Sequence, residues 1–199
     1  MTKEFILASG SEIRLRLLEN AGLSPTVKVA RIDEDPIRRS LEAEGVSPRD
    51  IADALAEGKA HKVATQKPGA FVLGCDQIAA IGSEILSKPL TKDHAIAQLS
   101  RLSGRTHHLY SAAVLYEHGR PVWRFVGKVS LDVHEISEAY KESYVARNWE
   151  SIRHSVGAYK LEEEGVRLFS AIRGDYFHVL GLPLVELLSY LSERGVLER

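Results

Sequence analysis

From Phe71 to Ile81 the chain is apolar apart from Gly74 and the pair Asp76-Gln77, and it ends in a Gly82-Ser83 turn. A run of this length and composition predicts a buried strand, because it leaves almost no position for solvent. A carboxylate in such a place is costly unless it is paired or has a chemical task. Asp76 is therefore the most informative single residue. The alternative reading is an acid at a strand end, bonded to backbone amides.

The rest of the 199 residues supplies enough chain for one domain of ordinary size, or at most two small lobes, whose core needs no disulfide. The single cysteine, Cys75, excludes a disulfide scaffold, a zinc ribbon and an iron–sulfur cluster held by this chain alone, and it fits a reducing cytoplasm. Lying in an apolar run beside an acid, it reads as an inert buried thiol. Only Phe5–Ala8 precede the polar Ser9-Gly10-Ser11, too few apolar residues for a secretory core. Phe71–Cys75 and Val179–Leu182 fall far short of the roughly 20 residues that span a bilayer. With 26 Lys and Arg against 27 Asp and Glu, the chain lacks the electrostatic footprint of a general nucleic-acid binder. The expectation is a cytoplasmic protein with a small-molecule partner and no nucleic acid or membrane.

Along the chain, strand and helix patterns alternate. Phe5–Ala8 reads as a strand, followed by a helix from Ile13 to about Ala21, with Ser9 and Glu12 at capping-box spacing and Gly22 as its C-cap. Strand, turn and helix N-terminus together favour phosphate. A charged stretch, Arg31–Glu44, leads to a helix from Ser47-Pro48 to about Thr65. Thr91–Leu102 is a further helix. Leu109–Glu117 and Val122–His134 read as strands joined at His118–Pro121. Ser137 caps a helix to about Arg147, Val166–Ile172 reads as a strand, and Pro183 opens a helix to about Arg194. No repeat or linker divides the chain, so residues 1–199 read as one mixed α/β domain.

Several side chains in this frame suit anion chemistry. Arg14 sits in the first turn of the first helix, beside the amides of Ser9-Gly10-Ser11. Lys59 lies near the end of the second helix, and Lys88 follows a short apolar turn in Ser87-Lys88-Pro89. Taken singly, each also reads as an ordinary surface cation. Glu34, with Asp33 and Asp35 beside it, suits a hard divalent cation or a solvated acidic turn. No phosphate-binding P-loop, dinucleotide-binding glycine motif or zinc-protease histidine pair is present. His107 and His108, adjacent in a strand, point to opposite faces and do not share a metal.

These blocks resemble, over nearly the whole chain, the Maf-like nucleoside triphosphate pyrophosphatases. The resemblance rests on Leu7-Ala8-Ser9-Gly10-Ser11 with Arg14, on Gly74-Cys75-Asp76-Gln77, on Ser87-Lys88-Pro89 and on Leu102-Ser103-Gly104-Arg105-Thr106-His107. Gly157-Ala158-Tyr159, Gly174-Asp175-Tyr176-Phe177 and Val179-Leu180-Gly181-Leu182-Pro183-Leu184 extend it. It implies a bent mixed sheet flanked by helices with a nucleotide-binding cleft, often in a homodimer. The implied reaction is hydrolysis of a nucleoside triphosphate to the monophosphate and pyrophosphate with Mg²⁺ or Mn²⁺. Carried over by position, it makes Asp76 the general base and a metal ligand with Glu34. Ser9, Arg14, Lys59 and Lys88 become substrate-binding groups.

Departures bear on the base. The family's first motif commonly has two arginines, and Ile13 stands where the first would be. Gln77 follows the catalytic Asp where the branch acting on dTTP and UTP usually has threonine, and Glu162 stands where that branch has glutamine. These three positions resemble the 7-methyl-GTP pyrophosphatase branch, although Ile13 replaces an aromatic common there. A carboxylate at Glu162 can accept from the N1–H and N2–H₂ edge of guanine and would repel the carbonyls of uracil or thymine. The alternatives are a dTTP or UTP pyrophosphatase and a non-catalytic, nucleotide-binding regulator of cell division. Trp123, Phe125 and Tyr140 suit either a dimer face or the core.

Overall fold

The run Phe71–Ile81 forms one strand, β3, in which every residue but Gln77 and Ile81 is buried. The computed structural model describes residues 3–198 and surrounds β3 with a mixed sheet. The other strands are β1 (Phe5–Leu7), β2 (Thr26–Val27), β4 (Glu84–Leu86), β5 (Thr106–Glu117), β6 (Arg120–Val133) and β7 (Phe169–Arg173). Their order is β2-β1-β3-β5-β6-β7, with β4 paired to β3 off that path, seven strands in all. β1 is parallel to both β2 and β3, whereas β4 on β3 and β7 on β6 are antiparallel. The helices are α1 (Glu12–Asn20), α2 (Glu34–Ala43), α3 (Pro48–Ala64), α4 (Lys92–Leu102), α5 (Glu138–Ile152), α6 (Tyr176–Val179) and α7 (Leu184–Glu193). The expected α/β class is thus observed. None of these helices is long and apolar enough to cross a membrane.

The chain divides into two compact units, residues 1–77, 110–127 and 176–199 in the first, 78–109 and 128–175 in the second; three of the four divisions fall inside β3, β5 and β6 and the fourth just before α6. In the first unit, alternate residues of β3 meet different neighbours, as the two-residue period of a strand requires. Leu73 and Cys75 join Leu7, Leu17, Leu18, Ala113, Leu115, Leu187 and Leu191 in a buried cluster. On the opposite face Gly74 lies against α3 so closely that a Cβ there would stand 2.2 Å from the Ala56 carbonyl oxygen. Helix α3 is set by Ser47, whose Oγ accepts from the Asp50 amide at 3.2 Å, and by Pro48 in its first turn. Helix α1 ends as expected at Gly22, with φ +83°, where Leu23 N–H closes onto the Leu18 carbonyl.

In the second unit, Thr91 and Ser137 cap α4 and α5 through the amides of His94 and Tyr140. His107 and His108 do diverge: fully buried His107 meets the Tyr159 hydroxyl at 2.7 Å, while His108 meets Ser130. Tyr159 follows Gly157 and Ala158, both at positive φ.

Four local expectations are corrected. The capping box fails: the N-cap of α1 is Ser11, whose side chain makes no cap bond, while Ser9 Oγ accepts from the Ser11 amide. The charged stretch contains helix α2, stabilised along its own face by Arg38 with Asp35 and Glu42. Helix α5 continues past Arg147 to Ile152. The first part of the strand expected at Val166–Ile172 is a tight helical turn, Glu164–Leu168, and β7 begins only at Phe169. Gly165 explains this, since a Cβ there would lie 2.4 Å from the Lys160 carbonyl, so the chain turns against itself before extending.

Candidate active site

Two residues beyond Gly74, Asp76 emerges on the same side of β3, and the close seating of α3 brings Lys59 to it. Lys59 Nζ donates to Asp76 Oδ1 at 2.7 Å and lies 3.0 Å from Glu34 Oε1 in the first turn of α2. Lys59 and Asp76 are 8% and 6% exposed, which removes the surface reading of Lys59, and Asp76 lies inside β3, bonded to a side chain, instead of at a strand end on backbone amides. One ammonium thus stands between two carboxylates; its pairing with Asp76 lies in a poorly solvated place and counts for more than in water, whereas Glu34 is partly exposed. Burial pushes the Asp76 carboxyl above the usual carboxylate range; Lys59 and Arg14 pull it back, and Glu34 adds to the rise. Asp76 Oδ2 makes no hydrogen bond among the described residues. A carboxylate with one oxygen anchored, the other open and a raised pKa is a better proton acceptor than an ordinary carboxylate.

Arg14, in the first turn of α1, is held from three sides. Its Nε donates to the Gly181 carbonyl at 2.7 Å, and its Nη1 reaches Ser9 Oγ and the Cys75 carbonyl at 3.3 Å each. Nη2 makes no hydrogen bond among the described residues, so the guanidinium is fixed in place with one edge available for an anion. Gly181 has φ +87°, and a Cβ on it would stand 2.9 Å from Nη2, so this position needs glycine twice over. Burial pushes the neighbouring Cys75 thiol up to about 11, in keeping with the inert role expected of it.

The first unit therefore brings together Ser9, Arg14, Glu34, Lys59 and Asp76. Ile13 is half-buried and packs on the core cluster beside α1. Gln77, on the opposite side of β3 from Asp76, spends its amide nitrogen on Ser111 Oγ at 2.9 Å and the carbonyls of His178 and Val179 at 3.1 and 2.9 Å. Lys88 and Glu162 belong to the second unit, where both are exposed. Around Glu162 the acidic run is divided in use: Glu163 is bound by Ser151 and Lys160, and Glu164 by Arg147 and Asn148. Glu162 has no such partner among the described residues.

For a cation, Asp76 and Glu34 offer hard carboxylate oxygens on either side of one ammonium. No group of three or more such ligands occurs among the described residues. Two carboxylates match Mg²⁺, which keeps most of its water and binds phosphate oxygens, better than a metal needing a full protein cage.

Three contributors went unassigned in the sequence. Gly74 was visible as a glycine inside a strand, a sign of close backbone approach. Gly181 belongs to the run Val179–Leu184, whose local pattern assigns it no role, and Ser111 carries no local signal.

Comparison with known proteins adds to this geometry. Residues 4–194 match the family described as Maf-like protein. A nucleoside triphosphate pyrophosphatase of Ruegeria pomeroyi is 57% identical over 198 residues, covering all of both chains. One of Roseobacter denitrificans is 59% identical over 199 residues, again with full coverage. A 7-methyl-GTP pyrophosphatase of Mesorhizobium japonicum is 43% identical over 198 residues of fully covered chains.

Proposed function

The chain belongs to the Maf family and is a nucleoside triphosphate pyrophosphatase, and from that premise we propose that its substrate is a 7-methyl-GTP-like nucleotide, removed before it enters nucleic acid. The observation that carries the catalytic part is the buried Asp76 with one oxygen on Lys59 and the other open. Asp76 takes a proton from a water as that water attacks the α-phosphorus. The new P–O bond forms as the bond to the bridging oxygen breaks, and pyrophosphate leaves with that oxygen. Arg14, through its open edge, and Lys59 hold the charge that gathers on the phosphates, and Ser9 fixes Arg14. Lys88 joins this set by the resemblance. A Mg²⁺ or Mn²⁺ held by Asp76 and Glu34 would supply further positive charge to the phosphate oxygens.

The base preference rests on chemistry and kinship together. Relatives at 43 and 45% identity bear the name 7-methyl-GTP pyrophosphatase, while those at 57 and 59% are named for nucleoside triphosphates without a stated base. Glu162 has its carboxylate free where both following glutamates are engaged, so it can accept from a guanine-type edge. Gln77 and Ile13 complete the departures from the dTTP and UTP pattern.

Pyrophosphate release from ordinary and methylated nucleoside triphosphates, with Mg²⁺ and with Mn²⁺, tests both parts. Methylated GTP should be turned over fastest, and Asp76→Asn should lose about 10²- to 10⁴-fold. Preference for dTTP or UTP would replace the substrate proposal, and full activity in Asp76→Asn would remove the base. Glu162→Gln should lower turnover of guanine-type substrates roughly tenfold or more relative to pyrimidines. An unchanged ratio between them would remove Glu162 from base selection.

A further inference from the structure

Asp76 sits between two residues that are tied to the same short segment of chain. On one side, the Cys75 carbonyl accepts from Arg14, whose Nε holds the Gly181 carbonyl. On the other, the Gln77 amide holds the carbonyls of His178 and Val179. The turn His178–Gly181 thus closes a ring of hydrogen bonds around the base-bearing part of β3. The two carbonyls that Gln77 holds belong to α6, a single turn of helix, and that of His178 also accepts from the Gly181 amide at 3.1 Å.

Ser111 of β5 joins this ring at Gln77 and His178 and is fully buried. Its hydroxyl accepts from Gln77 Nε2 at 2.9 Å and donates to the His178 carbonyl at 2.5 Å. Three acceptors surround the Gln77 nitrogen, and a flipped amide would present its oxygen to two carbonyls. The amide orientation is therefore fixed, and among the described residues Ser111 is the side chain that shares in fixing it.

We propose that Ser111 is a positioning residue of the pyrophosphatase reaction, acting through Gln77 and the His178–Gly181 turn to hold Asp76 and Arg14 in register. Ser111 touches neither Asp76 nor Arg14, so its effect is read through them. This rests on the reading of Asp76 as base and Arg14 as phosphate ligand.

The test is a coupling cycle. kcat and KM are measured with saturating Mg²⁺ for the parent, Ser111→Ala, Gln77→Leu and the double variant, well below the Tm of each. Ser111→Ala should lower kcat roughly three- to tenfold, the factor carried by one hydrogen bond of ordinary net worth. In the Gln77→Leu background the same change should have little further effect, since no amide remains to be aligned. Multiplicative, independent losses would overturn the proposal, as would a kcat per folded molecule equal to that of the parent. Ser111→Thr, which keeps the hydroxyl, should recover most of kcat. Should its methyl lower Tm in that buried place, the cycle with Gln77→Leu still decides. Asp76→Asn run alongside separates the two ideas: its full activity would remove the base, whereas the coupling between Ser111 and Gln77 is read on its own.

Discussion

Asp76 and Lys59 owe their properties to being buried together. Burial pushes the Asp76 pKa up by more than the ammonium pulls it down, and removal of either influence should be visible in the pH dependence of the reaction. As pH falls through the raised folded pKa, Asp76 takes a proton and can no longer act as base, so the acid limb of the profile should lie above the ordinary carboxylate range. Lys59→Met removes the largest opposing influence and leaves burial and Glu34 opposed by Arg14 alone. The acid limb of kcat/KM should then move to still higher pH, with a lower plateau because a phosphate ligand is gone too. A limb that stays in place would show that Lys59 does not govern Asp76. Of this pair, Asp76 was legible in the sequence, because a charged residue inside an apolar strand is conspicuous. Lys59 was legible only through its place in the pattern and the resemblance, and its burial was not, because nothing local distinguishes a lysine that will be buried from one that will be solvated.

What buries Lys59 is the seating of one element on another. Helix α3 can lie on β3 only because Gly74 presents no side chain to Ala56 and Ala60, and Lys59 precedes Ala60. Gly74→Ala should force the helix outward. The expected stability loss is at the upper end of roughly 1–3 kcal/mol, since the clash is with backbone and not with a flexible side-chain end. Activity at low temperature should fall beyond that loss, because the distance from Lys59 to Asp76 opens with the helix. Thermal unfolding and kcat measured on the same sample check this, and unchanged kcat in the folded protein would separate Gly74 from the site. The contrast with α2 shows what sequence pattern reads well. Helices with a buried face, such as α3 and α4, carry the periodicity of that face, and β3, buried on both faces, carries a continuous apolar run. Helix α2 buries no residue, so its charges read as a solvated stretch although they make a helix that delivers Glu34. The turn before β7 was missed for another reason: it is set by crowding of Gly165 on Lys160, a contact that no local propensity records.

At the scale of the molecule, the groups that surround Asp76 come from positions as far apart as Ser9 and Gly181, all within the first unit. Unfolding disperses them, so a triphosphate that bridges Arg14 and Lys59 has affinity for the native state alone and must stabilise it by linkage. A non-hydrolysable triphosphate at about 100 times its Kd should contribute about 2.7 kcal/mol. For a chain of this length, that corresponds to a rise in Tm of roughly 5–10 °C. Trp123 belongs to the first unit and Trp149 to the second, so Trp149→Phe leaves a fluorescence reporter confined to the unit that holds these groups. The shift should be seen by Trp123 in that variant and should shrink in Arg14→Lys, whose single ammonium cannot grip Gly181, Ser9 and Cys75 while offering a free edge. It should also shrink when Mg²⁺ is chelated, because Asp76 and Glu34 would then face the phosphates uncompensated. A shift of equal size with and without the cation would leave Lys59 and Arg14 as the whole of the phosphate site and return Glu34 to the role of a partner for Lys59.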